Sequence, residues 1–337
     1  MPSLFFCKKG KNTFLLVGGI SILLLIISCL WIAPEIWAKE YPVKPITIIV
    51  PWPPGPSTDL SPRILAPKLS QRWGVPVSVV NKPGGAGMNG ALEAVKAAPD
   101  GYTIMSDCPG TSSIQYAWSE KLPYKIEERT YMVRTILSPG ALAVRGDAPW
   151  KTIGDMAKEV KTNPPNFRWS SIGGSGFPDV LLAQNRAAFI AQGIDLSKTR
   201  TVTYKGTGEV MIALAGGHVD MAYGGPASIN PLFSAGKIRA IAVATDKRYK
   251  GWPDISTTTE QGYPSVKLTF WVGFSGPPGI PQNIVQTWID AVRDLLADPE
   301  VLSKLDKIGV VPAFLGRDDF KDFVFEEAKS IKALNVK

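Results

Sequence analysis

ITIIVPWPPGPSTDL, residues Ile46 to Leu60, is the stretch on which the fold turns. Its first five residues are all β-branched, and Pro51, which has no N–H for a sheet ladder, ends the run. Such a run reads as a short buried strand. The loop from Pro51 to Asp59 follows. Leu60, Ile64, Leu65, Leu69 and Trp73 then recur at roughly helical spacing until Gly74 stops them. Strand, loop and helix make one α/β unit. Pro62 is tolerable in a first helical turn, whereas Pro67 sits mid-segment and is expected to kink or break the helix.

Towards the C-terminus the pattern repeats. A strand from Val75 to Val80 precedes the glycine-rich loop NKPGGAG, and a helix from about Asn89 to Ala98 ends at Pro99, Asp100 and Gly101. A third strand runs from Tyr102 to Ser106. This alternation predicts a parallel sheet with helices on its faces. Ligands of such sheets bind beyond the carboxyl ends of the strands, where the loops Pro51 to Asp59 and Asp107 to Ser113 lie.

A second α/β unit starts near Leu142, with a helix over Ile153 to Val160, a turn at Asn163 to Asn166 and a strand over Phe167 to Ser171. Val219 to Tyr223 and Ile238 to Thr245 read as further strands. After a long strand, Leu268 to Ser275, comes a helix whose Ile284, Trp288, Ile289, Val292, Leu295 and Leu296 form one apolar face. Placing that helix back on the first unit makes the first lobe discontinuous, 39–142 plus 272–337, with 143–271 as the second lobe.

Towards the N-terminus, Lys8, Lys9 and Lys11 precede a 19-residue apolar run from Phe14 to Ile32, the layout of an export signal. A run of that length also suits a membrane span, but the small residue at Ala38, with Ile36 two before it, offers a cleavage site, so that 1–38 is a signal peptide and the mature chain starts at Lys39. Ile26, Ile27, Ser28 and Cys29 offer the rival processing of a lipoprotein, anchored at Cys29. Either route exports the body. Loss of Lys8, Lys9, Lys11 and Glu35 takes the net charge from +8 to +6. Only Cys108 of the three cysteines lies in the body, so no internal disulfide staples it. The basic balance favours acidic ligands weakly, and no basic cluster interleaved with aromatics offers itself to nucleic acid.

Several stretches carry a family resemblance. They are YPVKPITIIVPWPPGPSTD from Tyr41, VNKPGGAGMNGALEAVKAAPDGYTIM from Val80, KLPYK from Lys121, VTYKGTGEVMIALAGGHVDMAYGGPAS from Val202 and GKIRAIAVATDKR from Gly236. In order and spacing the chain resembles the substrate-binding receptors of tripartite tricarboxylate transporters, the Bug family. The resemblance implies a two-lobed periplasmic-binding-protein fold of the type II kind, with crossing strands near Leu137 to Val144 and Leu268 to Gly276. It also implies a small organic acid clamped in the cleft and handed to membrane permease subunits, by a periplasmic protein that does no chemistry. Such a receptor is expected to act as a monomer, without cofactor or metal.

The carboxylate needs oriented donors, which helix N-termini supply. Ser57, Thr58 and Asp59 stand before one helix and Ser175, Gly176 and Phe177 before another. The resemblance assigns both positions to the ligand, although the same residue types are ordinary N-caps. The implied site extends to Trp52, Pro54, Gly55 and Pro56, to Gly110, Thr111 and Ser112, and to Tyr204, Tyr223 and Gly224. Asp59 is the exception, a better loop brace than anion ligand because a carboxylate would repel it. Trp52, Tyr223 and Trp271 are candidates for aromatic walls. Two departures from the family bear on specificity. Pro56 stands where a glycine is usual, which removes a donor, and Gly224 and Gly225 stand where an aspartate often follows the strand, which disfavours a ligand ammonium. These departures point to a less polar carboxylate, aromatic or with an aliphatic body.

Rival functions leave weaker traces. Gly85, Gly87 and Gly90 match G-x-G-x-x-G between a strand and a helix, with Asp107 after the next strand. However, Pro83 and Gly84 lengthen the turn, and close helix-to-sheet packing explains the glycines as well. GGSGF at Gly173 to Phe177 lacks the closing glycine of a nucleophile elbow, and the one histidine, His218, stands at a strand entrance. One histidine and one body cysteine do not assemble a zinc site. An exported ligand sensor would look the same in sequence as a transport receptor.

Overall fold

The computed structural model describes Ser3 and residues 41–119, 121–174 and 176–334. The export run, Ala38, Cys29 and Ser175 lie outside the described residues. No helix among the described residues is long and apolar enough to cross a membrane. Residues 42–337 cluster as one unit, which the following description concerns.

β1 (Ile46–Val50) is buried at four of its five positions, as its apolar run requires, and pairs in parallel with β2 (Val77–Asn81) and β3 (Thr103–Asp107). The chain climbs from β1 into α1 (Ser57–Trp73), which is closed by Gly74 at φ 67°. Both prolines lie inside this helix, so the expected break at Pro67 does not occur. Two features explain the continuity. Pro62 cannot bond the Thr58 carbonyl four residues back, and Ser106 Oγ donates to that carbonyl instead, at 2.7 Å. Pro67 and Arg63, whose carbonyl it leaves without an N–H, are both exposed, so water satisfies the orphan.

Among the described residues the first sheet has the order β11–β4–β10–β3–β1–β2. β4 is Thr130–Pro139, β10 is Thr269–Gly276 and β11 is Val311–Leu315. β10 runs antiparallel to β3 and β4, and β11 antiparallel to β4, so the sheet is mixed and not parallel throughout as the alternation suggested. The reason is connectivity. β4 still runs the same way as β1, β2 and β3, whereas β10 and β11 come from later in the chain and enter from the other end.

The second lobe is built on β5 (Ala141–Arg145), antiparallel to β8 (Met221–Gly224) and β9 (Ile238–Val243). β6 (Arg168–Ser171) and β7 (Arg200–Thr203) pair in parallel beside them. Arg168 joins the two groups, since its carbonyl accepts the Asp220 N–H at 3.0 Å and its guanidinium bonds the Asp220 carboxylate.

Only Gly140 separates β4 from β5, and β10 begins where Thr269 pairs with Pro139. The two crossing strands therefore lie side by side, as the resemblance implied. The Gly140 position has no room for a side chain, because a Cβ there would meet Leu181 Cδ1 at 2.7 Å and Phe177 Cζ at 2.8 Å. α8 (Gln282–Leu295) returns to the first sheet, with the Trp288 ring 5.3 Å from Phe274 and 4.8 Å from Trp73. The long terminal helix α10 (Arg317–Ala333) buries Phe320 and Val324 against Tyr131 and Trp271. In chain order the remaining helices are α2 (Met88–Val95), α3 (Ser113–Trp118), α4 (Ile153–Thr162), α5 (Phe177–Ala191), α6 (Thr207–Ala215), α7 (Pro226–Ser234) and α9 (Pro299–Lys307).

Candidate functional site

Four helix N-termini converge on one cleft, those of α1 from the first lobe and of α5, α6 and α7 from the second. In α1 the hydroxyls of Ser57 and Thr58 have no hydrogen-bond partner among the described residues, and both residues line the cleft. Thr207 of α6 and Ser228 of α7 present two more hydroxyls from the opposite side. Among the described residues no charged side chain lines the space. The site can therefore hold an anion through hydroxyls, unpaired backbone N–H groups and helix dipoles, without a cation.

The loops are braced from within. Asp59 Oδ2 accepts the Gly55 N–H at 3.1 Å, while Oδ1 accepts Arg63 Nε and Asn81 Nδ2, each at 2.9 Å. Asn81 Nδ2 also reaches the Trp52 carbonyl. Asp179 does the same service in the second lobe, where it accepts from Ser171 Oγ and from the N–H groups of Ile172, Gly174 and Gly176. Loop donors that a ligand carboxylate would otherwise use are thus already engaged by these two aspartates.

Of the residues expected at the site, Trp52, Pro56, Ser57, Thr58, Gly110, Phe177 and Gly224 come together around the cleft. Others stand elsewhere. Pro54 is exposed, Gly55 takes φ 113° in the turn behind, and Asp59 is the brace just described. Thr111 and Ser112 turn their hydroxyls inward to the buried Asp107 carboxylate. Gly176 is packed so tightly that a Cβ would meet Ile172 Cδ1 at 2.2 Å. Tyr204 lines a wider vestibule with Lys205 and Trp118.

Tyr223 and Trp271 do not form cleft walls. Both are wholly buried, Tyr223 in the second lobe's core and Trp271 under α10, where its Nε1–H donates to Glu327 at 2.7 Å. The aromatic walls are Trp52, Phe177 and Phe270, the last two edge to face with centroids 5.1 Å apart. Sequence reasoning missed Pro53, Phe270, Ile172, Pro178, Gly206, Thr207 and Ser228. A signal for Thr207 and Ser228 existed in KGTGE and GGPAS, where a hydroxyl follows glycine at the head of an apolar helix. Nothing local marks Phe270, which reaches the cleft because β10 crosses between the lobes.

Cys108 lies under the floor and accepts a hydrogen bond from Trp52 Nε1 at 3.2 Å. Burial, reinforced by the neighbouring Asp107, pushes its thiol up to about 11, so it is neutral and inert as a nucleophile at neutral pH. The glycine-rich loop shows the packing role: a Cβ at Gly90 would stand 2.7 Å from the Lys82 carbonyl oxygen and 2.9 Å from Pro51 Cα. His218 is exposed at the end of α6. Among the described residues no three His, Cys, Asp or Glu side chains group to hold a metal.

The family model described as the tripartite tricarboxylate transporter family receptor matches residues 62–337. The chain belongs to this receptor family. Three solved structures share its two-lobed fold. The periplasmic binding protein BugD is 26% identical with a TM-score of 0.80, and the comparison covers 87% of this chain and 97% of BugD. MatC of Rhodopseudomonas palustris, solved with bound malate, is 25% identical with a TM-score of 0.80, covering 87% and 99% of the two chains. An R. palustris protein solved with adipate is 25% identical with a TM-score of 0.81, covering 88% and 97%. The receptor is accordingly a solute-binding protein and not an enzyme.

Proposed function

We propose that this receptor is exported to the periplasm, binds a small organic carboxylate between its lobes and delivers it to membrane permease subunits, acting as a monomer. The division into 39–142 plus 272–337 and 143–271 belongs to the same proposal, supported by the passage from the first sheet to the second at Gly140. One observation carries the ligand class: the cleft combines hydroxyls and helix N-termini with the apolar side chains of Trp52, Phe177, Phe270 and Ile172, and has no charged side chain among the described residues. Pro53, Pro56 and Pro178 line the same space and contribute no N–H donors.

Such a cleft favours a carboxylate with a plain aliphatic or aromatic body. A ligand ammonium finds no carboxylate there, and the extra hydroxyl and carboxyl groups of citrate would leave polar groups unpaired on burial. Neighbours that hold malate and adipate agree with a small carboxylate and bracket the polarity range. Calorimetric titration with adipate, benzoate, malate, citrate and glutamate tests this. Tightest binding by adipate or benzoate is expected, and citrate or glutamate binding as tightly as either would overturn the ligand class.

A further inference from the structure

We propose that Asp107 is the positioning residue of the cleft floor: it holds the turn from Cys108 to Ser112, and through it the Trp52 wall, in register with the crossing strand β10. The proposal rests on the cleft being the ligand site. Asp107 ends β3 and is wholly buried. Its Oδ1 accepts Thr111 Oγ1 and Ser112 Oγ, each at 2.7 Å, and the Cys108 N–H at 2.9 Å. Its Oδ2 accepts Ser112 Oγ at 2.9 Å and Ser275 Oγ at 2.8 Å. Arg129, equally buried, brings Nη1 to 3.6 Å from Oδ2 and donates through Nη2 to Ser112 Oγ and Tyr131 OH.

A carboxylate at that depth is tolerated only with such partners, and each donor that moved away would leave a buried polar group unpaired. The turn is therefore fixed to the carboxylate, and the ring is fixed to the turn. Cys108 Sγ accepts the Trp52 Nε1–H, and Gly110 abuts the ring so closely that a Cβ there would stand 2.8 Å from Trp52 Cζ2. Ser275 is the tie to the rest of the molecule. It sits on β10, which pairs with the other crossing strand β4, and it is fully buried away from the cleft. Its hydroxyl acts on the floor only through Asp107.

Ser275→Ala removes one donor to Asp107 and nothing that touches Cys108, which makes it the deciding variant; Thr111→Val removes a second donor together with the threonine's own bonds to Cys108, and both leave the ion pair with Arg129 in place. For each variant, alkylation of Cys108 by N-ethylmaleimide in the folded chain is followed on its own peptide by mass spectrometry, beside the urea midpoint. In the wild-type protein the thiol is buried and protonated, so the reaction is slow. Each variant is expected to react at least about tenfold faster at Cys108, by more than the fall in its urea midpoint accounts for, since a loosened turn exposes the thiol by local opening. A rate at the wild-type level, or one raised only as far as lower global stability accounts for, would overturn the proposal. The readout needs no ligand, so its failure is distinct from a failure of the receptor to bind carboxylates.

Discussion

Asp59 and Asp179 occupy the same place in two helices, the third residue after the cap, and both turn back on the loop before them. The cleft is therefore lined by the residues just ahead of them in chain and by their counterparts in α6 and α7. Ser57→Ala and Thr207→Val are each expected to weaken carboxylate binding by roughly 10- to 100-fold, the 1.5–3 kcal/mol of a hydrogen bond to a charged group. Their unfolding midpoints should stay near wild type, because neither hydroxyl has a protein partner among the described residues. Calorimetry beside urea unfolding checks both; undiminished affinity in the two variants would remove these hydroxyls from the site. At this scale the sequence was legible at Trp52, Ser57 and Phe177, where a motif names the position. It misled at Thr111 and Tyr223, because a linear reading does not show which way a side chain turns: the Thr111 hydroxyl turns back to Asp107 four residues earlier, and Tyr223 turns into the second lobe's core.

Helix α1 shows how an element overrides a residue preference. Pro67, mid-segment, should kink or break it, and Pro62 lies past its first turn, yet Ser106 from β3 supplies the donor missing at Pro62 and the exposed face leaves the other carbonyl to water. Ser106→Ala should leave the Thr58 carbonyl unsatisfied, at a cost of about 1–3 kcal/mol, and loosen the N-terminus that carries Ser57 and Thr58. A lower urea midpoint together with weaker ligand binding is the expected result. An unchanged midpoint would mean that Pro62 is accommodated in another way. The strand and helix positions otherwise follow the apolar periodicities closely, since those patterns record which face is buried. The sheet's mixed polarity escaped them, because a strand's period is the same in either direction.

Across the whole molecule the lobes meet closely: a Cβ at Gly206 would lie 3.1 Å from Pro53 Cγ, on the opposite side of the cleft. Beneath the crossing strand, Glu327 of α10 accepts hydrogen bonds from Trp271 on β10 and Ser113 on α3. Burial raises its carboxyl to about 7, against donors that act to lower it. The folded protein then binds the proton more tightly than the unfolded chain, so this group's contribution is full below about pH 4.5 and is lost as pH rises towards 7. With each pKa unit worth about 1.4 kcal/mol, a rise from 4.5 to about 7 makes the loss on the order of 3 kcal/mol. Urea unfolding at pH 5 and pH 8 should show that decline in the wild-type protein and a flatter profile in Glu327→Gln. Identical profiles would mean that Glu327 titrates as an ordinary surface carboxylate.

The sequence by itself determined the order of strands and helices, the family, and the loops that carry the cleft, because apolar period and glycine and proline punctuation are local and survive in a linear reading. Only the tertiary structure decided which hydroxyls line the cleft and which face Asp107, that Phe270 and not Tyr223 forms a wall, and that a helix with two prolines holds. Most of these depend on contacts between residues far apart in the chain, such as Ser106 with Thr58 or Ser275 with Asp107, and burial rewards such a contact only once the elements that carry both partners lie side by side.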